Sequence, residues 1–220
     1  MLGLELTFIC NAGLALTYAG KTLVIDAPNM DHPPFRYLTD EAWDDICKRM
    51  DICGFFYSHD HPDHLDRQRL LSYLDKRQDA MCYIPYESSG GRMDIGPFRI
   101  NYHPIPHAPL PDAPPHLVAL IEAGDKAVYI AADAALETAL HRDVLCGRRV
   151  DAAIWTPMYL SRADTRMLMA EVAAYNYIYH MPARPDMGGM WKKCEKNFER
   201  YGEALTGVRV IENYPETIVI

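Results

Sequence analysis

Apolar and polar residues alternate near the start of the chain, where Leu4, Leu6 and Phe8 are interleaved with Glu5 and Thr7. Leu14 to Tyr18 and Thr22 to Ile25 follow across turns at Asn11 to Gly13 and Gly20 to Lys21, which predicts a strand meander. The spacing then turns helical. Thr39 suits a helix N-cap, Asp40 and Glu41 suit the first turn, and Trp43, Ile46, Cys47 and Met50 share one face. Ile52 to Tyr57 reads as a buried strand that runs straight into a histidine-rich segment, after which Asp66 caps a helix expected to bury Leu70, Leu71 and Leu74. Further strands are predicted at Met81 to Ile84, Phe98 to Tyr102, Leu117 to Glu122, Ala127 to Ala131 and Ala152 to Thr156. Helices are predicted near Ala135 to Leu145, Asp164 to Ala174 and Met190 to Leu205, the last with Trp191, Cys194, Phe198, Tyr201 and Leu205 on one stripe. Strands at Val208 to Ile211 and Thr217 to Ile220 close the chain. A meander followed by alternating strands and helices predicts sheets covered by helices on their outer faces.

Composition narrows the function. A chain of 220 residues, 49% hydrophobic and 24% charged, is long enough to bury a sizeable core, and residues 1–220 are expected to form one domain. The formal net charge of -8 opposes broad binding to nucleic-acid backbones, so the expected partner is a small molecule. The six cysteines contain no Cys-x-x-Cys pair, which fits a reduced, cytoplasmic setting better than a disulfide framework. Met1 to Gly20 lacks the basic start and cleavage site of an export signal, and no other apolar stretch is long enough to cross a bilayer.

The chemistry concentrates in His59, Asp60, His61, Pro62, Asp63 and His64, between a predicted strand and a predicted helix. Imidazole nitrogen and carboxylate oxygen are the donors that zinc and similar ions favour. His59 and His61, two apart in extended chain, point the same way and can grip one ion; Asp63 and His64, past the turn at Pro62, can grip a second. An isolated histidine is usually an ordinary polar residue, but a run with this many fixed positions is not.

Ser58 to Asp66, reading SHDHPDHLD after a hydrophobic strand, resembles the defining loop of the metallo-β-lactamase superfamily. The resemblance implies an α/β fold, a four-layer αβ/βα sandwich with two sheets face to face and helices outside. It extends over nearly the whole chain. FICNAGLALTYAGKTLVIDAP resembles the family's opening meander, with Asp26 as the acidic residue that supports the histidine loop; IPHAP supplies His107, VYIAAD supplies Asp133, and YIYHM supplies His180. By that resemblance His59, His61 and His107 hold one divalent ion, Asp63, His64 and His180 a second, and Asp133 is shared. The ions are expected to be zinc, with manganese or iron as alternatives. Two departures stand out: Ala132 replaces the usual Gly before the shared aspartate, and Asn11, Ala12, Gly13 replaces the Gly-His-Ala/Ser-type turn of the branch that resembles L-ascorbate-6-phosphate lactonase.

Two such ions would lower the pKa of a bound water from about 15.7 toward about 7, so the expected activity is hydrolysis by hydroxide of a small, anionic ester or lactone. Asp63, His64 and Asp133 are the expected catalytic residues. The alternatives are a phosphodiesterase acting on a nucleotide or short nucleic acid, and a metal-binding regulatory domain without turnover. His103 and His116 compete with His107 as third ligand, whereas His32 and His141 are expected to be ordinary polar residues. Arg36, Tyr37, Arg184 and the backbone of Gly188 and Gly189 are candidate substrate contacts whose roles the sequence leaves open.

Overall fold

A computed structural model describes residues 3–108, 113–183 and 189–220. The meander forms as β1 (Glu5–Cys10), β2 (Gly13–Tyr18) and β3 (Lys21–Ile25), antiparallel and in sequence. After α1 (Asp40–Arg49), β4 (Ile52–Phe56) joins β3 in parallel. After α2 (Arg67–Leu74), β5 (Met81–Tyr83) joins β4, again in parallel. The second sheet begins with the antiparallel strands β6 (Gly91–Ile95), β7 (Phe98–Pro104), β8 (Leu117–Ala123) and β9 (Lys126–Ile130). It continues in parallel through β10 (Val150–Trp155), β11 (Ala173–Ile178) and β12 (Val208–Val210), with α3 (Thr138–Leu145), α4 (Ala163–Val172) and α5 (Met190–Tyr201) on the connections. The last strand, β13 (Glu216–Val219), returns to the first sheet beside β1. The orders are therefore β13-β1-β2-β3-β4-β5 and β12-β11-β10-β9-β8-β7-β6.

Strand periodicity sorts the side chains into layers. Leu6, Leu14, Leu16, Leu23 and Ile25 of the first sheet meet Ile100, Ile121, Val128, Ile130 and Ile154 of the second between the sheets. The intervening residues Ala15, Val24 and Phe55 pack outward under Trp43 of α1 and Leu70 and Tyr73 of α2. Tyr129, Ala153 and Trp155 pack outward under Leu168 and Met169 of α4 and Trp191 of α5. Both faces of each sheet's centre are thus apolar, which is why those strands read as nearly continuous hydrophobic runs.

Thr39 and Asp66 cap α1 and α2 as expected, accepting from the backbone N–H of Ala42 and Arg69. Three expectations change. Leu71 is 59% exposed and Tyr73 takes its place inward, because with Leu70 facing the sheet the position three residues on shares its face and the adjacent one does not. β6 carries the exposed charges Arg92 and Asp94 at a sheet edge, so it has no apolar run to mark it. β11 starts at Ala173, where the helical spacing had extended to Ala174. All six cysteines are free, and no helix among the described residues is long and apolar enough to cross a membrane.

His141 is fully buried rather than an ordinary polar residue. Its Nε2 lies 3.0 Å from the Ala135 carbonyl and 2.8 Å from the Tyr159 hydroxyl, and its Nδ1 lies 2.6 Å from the Tyr129 hydroxyl. A carbonyl only accepts, so the neutral ring carries its proton on Nε2 and accepts at Nδ1 from Tyr129. Burial pushes its pKa down to about 4. The folded value is below the unfolded value of about 6.5, so the unfolded chain binds the proton more readily and stability is lost as pH falls through that window. At about 1.4 kcal/mol per unit this amounts to about 3 kcal/mol. Urea unfolding of chelator-treated protein should show a steeper loss of stability from pH 6.5 to 4 in the wild type than in His141→Gln; parallel profiles would show that His141 does not set the acid sensitivity.

Candidate metal centre

Four loops converge at one end of the sandwich. The loop after β4 brings His59, His61, Asp63 and His64, the loop after β7 brings His107, and the ends of β9 and β11 lead to Asp133 and His180. Each loop is pinned. Leu117 N–H donates to the Ser58 carbonyl and His180 N–H to the Asn11 carbonyl, which cross from one sheet to the other, and Ala108 N–H donates to the Asp133 carbonyl between two loops of the second sheet.

Asp26, fully buried at the end of β3, organises the first loop. Its Oδ1 accepts from Ser58 N–H at 2.7 Å and its Oδ2 from Ser58 Oγ–H at 2.7 Å. With that hydroxyl proton committed, Ser58 Oγ is left to accept from His59 Nδ1–H at 2.9 Å, which leaves the His59 Nε2 lone pair facing inward. Asp26 Oδ2 also lies 3.2 Å from His64 Nδ1, outside hydrogen-bond geometry but close enough to favour a proton there. His107 Nδ1 faces the Ala108 carbonyl at 2.7 Å, so its buried Nε2, which has no hydrogen-bond partner among the described residues, is likewise a free lone pair.

The inward atoms come within coordinating distance of a common centre in sets. Donors of His59, His61 and His107 lie within 4.8 Å of one another, as do those of Asp63, His64 and His180. His59 Nε2 sits 3.0 Å from His61 Nδ1, and His64 Nε2 sits 3.0 Å from His180 Nε2. Asp133 Oδ2 lies 3.3 Å from His64 Nε2, 3.5 Å from both His107 Nε2 and His180 Nε2, and 3.9 Å from His59 Nε2. A single carboxylate oxygen therefore faces nitrogens of both sets. Lone pairs turned toward one another, with the opposite ring nitrogen committed at His59 and His107, are an arrangement a divalent cation resolves, and the donor chemistry is that of zinc, manganese or iron.

The electrostatics carry the same signature. Burial raises the cost of ionising Asp133, but the neighbouring His180, His107 and His64 outweigh it and hold the carboxyl well below the usual range. For Asp63 burial is likewise outweighed, by the His180 hydrogen bond and the His64 charge, and its pKa falls. Burial lowers His59, with His64 adding to the effect, and burial and His107 lower His61. His64, His107 and His180 rise despite burial, because Asp26, Asp133 and Asp63 sit against them.

Of the competing histidines, His116 is buried beside the centre, its ring 5.1 Å from that of His59, but its Nδ1–H donates to the Ile105 carbonyl and it lies outside the converging sets. Burial pushes it down to about 3. His103 pairs with Val118 within the β7–β8 ladder, and exposed His32 stacks near Phe35. Arg36 turns away toward the Glu212 carbonyl and the Tyr214 ring, and Tyr37 lies under Arg69. Gly189 precedes α5 with a left-handed φ of 64°, while Arg184 and Gly188 lie outside the described residues.

Two features had no signal in the sequence pattern. Asn11 donates from Nδ2 to the Asp63 carbonyl at 3.0 Å and to Asp63 Oδ2 at 3.3 Å, so the departure at the Asn11 turn places a side chain directly behind the second donor set. Phe35 sets its ring edge-on to His180 with centroids 4.6 Å apart. Phe35, Thr156, Pro157, Met158 and Met190 wall a pocket of about 270 Å³ that opens over His107, Asp133 and His180.

Solved structures share this architecture. A "possible metal-dependent hydrolase" of Veillonella parvula superposes with a TM-score of 0.67 at 17% identity, over 98% of this chain and 99% of that one. The metallo hydrolase Igni18 of Ignicoccus hospitalis gives 0.63 at 18%, over 99% and 98%. The metallo-β-lactamase fold protein YhfI of Bacillus subtilis gives 0.64 at 12%, over 100% of both chains. The chain has the metallo-β-lactamase fold. At these identities the architecture is what is shared. No family model and no curated protein matches the sequence.

Proposed function

We propose that the protein is a two-metal hydrolase of small, anionic esters or lactones. The observation that carries the reading is Asp133 Oδ2, placed 3.9 Å or less from nitrogens of both donor sets. His59, His61 and His107 would hold one cation, Asp63, His64 and His180 the other, and Asp133 both. Two such ions, when bound, acidify water and polarise a carbonyl oxygen.

The chain's own residues supply the rest. Asp26 and Ser58 fix the His59 tautomer, Asn11 holds the Asp63 carboxylate, and Phe35 and Met158 line the pocket beside His180. In the reaction the oxygen of water bonds to the acyl carbon, the ester C–O bond breaks, and a proton leaves with the alcohol. An ester or lactone is favoured over a nucleic acid because the pocket over the site is small and largely apolar and the chain is acidic. The branch resembling L-ascorbate-6-phosphate lactonase acts on such a substrate, but Asn11, Ala12 and Gly13 replace its characteristic turn, so the pocket and not that branch carries the choice.

Elemental analysis of protein purified without chelator or polyhistidine tag should find close to two equivalents of divalent metal per chain. His61→Ala and His180→Ala should each reduce that value, one from each donor set. Ester and lactone panels should turn over with the metal found. Cleavage of bis(p-nitrophenyl) phosphate without ester turnover would move the protein to phosphodiesters, and metal without any turnover would make it a binding domain. Failure to take up metal on reconstitution would sink the mechanism.

A further inference from the structure

Beside the pocket over the donors lies a second, larger hollow of about 540 Å³. Pro157, Met158 and Met190 belong to the walls of both, so the two adjoin. Leu136 adds a further apolar wall. Met190 is the first residue of α5, and Lys193 and Asn197 line the hollow three and seven positions on, on the same helix face. Lys196 lies about 9 Å further along the axis than Met190, at about 1.5 Å per residue. The groove thus runs outward along α5 from the side chains it shares with the donor pocket, apolar first and cationic at its end. No ion pair engages Lys193 or Lys196 among the described residues. Near its inner end the buried Thr156 hydroxyl has no hydrogen-bond partner there either.

We infer that the substrate is an acyl ester or lactone whose acyl arm is apolar and ends in an anion. The arm lies along Leu136, Met158 and Met190, and the anion meets Lys193 and Lys196. This rests on the hydrolase reading and assigns its substrate class. The two hollows are of the size that holds small molecules, and their walls, apolar with a few polar groups at defined places, are of the usual composition for such sites. A polar head alone would leave the apolar wall uncovered. A plain fatty chain would forgo the attraction that these two exposed lysines offer an anion.

The test uses the full chain with methionine methyl groups labelled with carbon-13, metal-loaded and chelator-treated, titrated with acetate, octanoate and suberate. Met158→Leu and Met190→Leu assign the two resonances. Octanoate and suberate should shift both and acetate neither, and suberate should half-saturate at a concentration about two- to tenfold below octanoate, as two exposed ion pairs allow. In the Lys193→Gln/Lys196→Gln double variant that preference should disappear, with octanoate still bound. Leu136→Glu should weaken octanoate tenfold or more. With p-nitrophenyl esters, kcat/KM should rise about two- to fourfold per methylene from acetate to octanoate. Silent methyl resonances, or equal shifts with acetate, would overturn the groove. Turnover without chain-length dependence, together with silent methyls, would discard the groove and keep the hydrolase. Shifts from octanoate in a protein that hydrolyses no ester would keep the groove and discard the hydrolase.

Discussion

Asp133→Asn should lower kcat/KM for the best ester by about 10³-fold, the size of effect seen when one oriented charge-stabilising group is removed from an active site. The substitution keeps the side chain's shape and one acceptor, so the loop that pairs Ala108 N–H with the 133 carbonyl and Ala135 N–H with Pro106 should persist. What it removes is the charge facing His59, His64, His107 and His180 at once. Metal content measured on the same sample should fall below that of the wild type, because an oxygen serving both donor sets is lost. Turnover within threefold of wild type would show that Asp133 is a structural turn residue and that each donor set works without it.

The second large effect comes from a residue that touches no substrate. In Asp26→Asn one carboxylate oxygen becomes an NH2 group. Whichever way the amide turns, it presents a donor either to the Ser58 N–H or to the Ser58 hydroxyl, from both of which the native oxygens accept. The orientation that avoids two facing N–H groups has the amide donating to the Ser58 hydroxyl, which then donates to His59 Nδ1, so the Nδ1–H contact that kept Nε2 free for a cation is lost. Metal affinity, read by competition with a chromophoric chelator, should drop about 10- to 100-fold, the usual cost of losing a group that orients a ligand. Circular dichroism should remain that of the wild type. Equal affinity would mean that Ser58 alone sets the ring, and Ser58→Ala would then carry the whole effect.

How much of this could be read from the chain depends on distance along it. His59, His61, Asp63 and His64 were legible because four donors packed into six residues seldom occur together except around a metal. His107, Asp133 and His180 are each a lone polar residue after an apolar strand, and only the family resemblance singled them out; the fold brings all three beside the first four. Layering was legible wherever one face of an element is apolar, as at Trp43 and Leu70. The Asn11 contact with Asp63 was not, since it joins residues 52 positions apart through a turn whose sequence departs from the family pattern. The Tyr129–His141–Tyr159 cluster was not either, because three elements must pack before it exists.

Ala132 shows what that departure from glycine means. It adopts φ 47°, and Asp26 and His180 adopt 50° and 59°, so the backbone is left-handed at three junctions that aim side chains at the centre. Such conformations cost of order 1 kcal/mol or more each and persist where surrounding structure enforces them.

The donors are also divided in time. Four of the seven follow β4 in the first sheet, and the other three follow β7, β9 and β11 in the second. During synthesis, a ribosome that has released β1 to β5 exposes a histidine loop able to grip a cation incompletely, before β7, β9 and β11 lead to the other three donors. Metal acquired at that stage would be exchangeable, and the lasting complement would be chosen only once β11 has brought His180 to the centre.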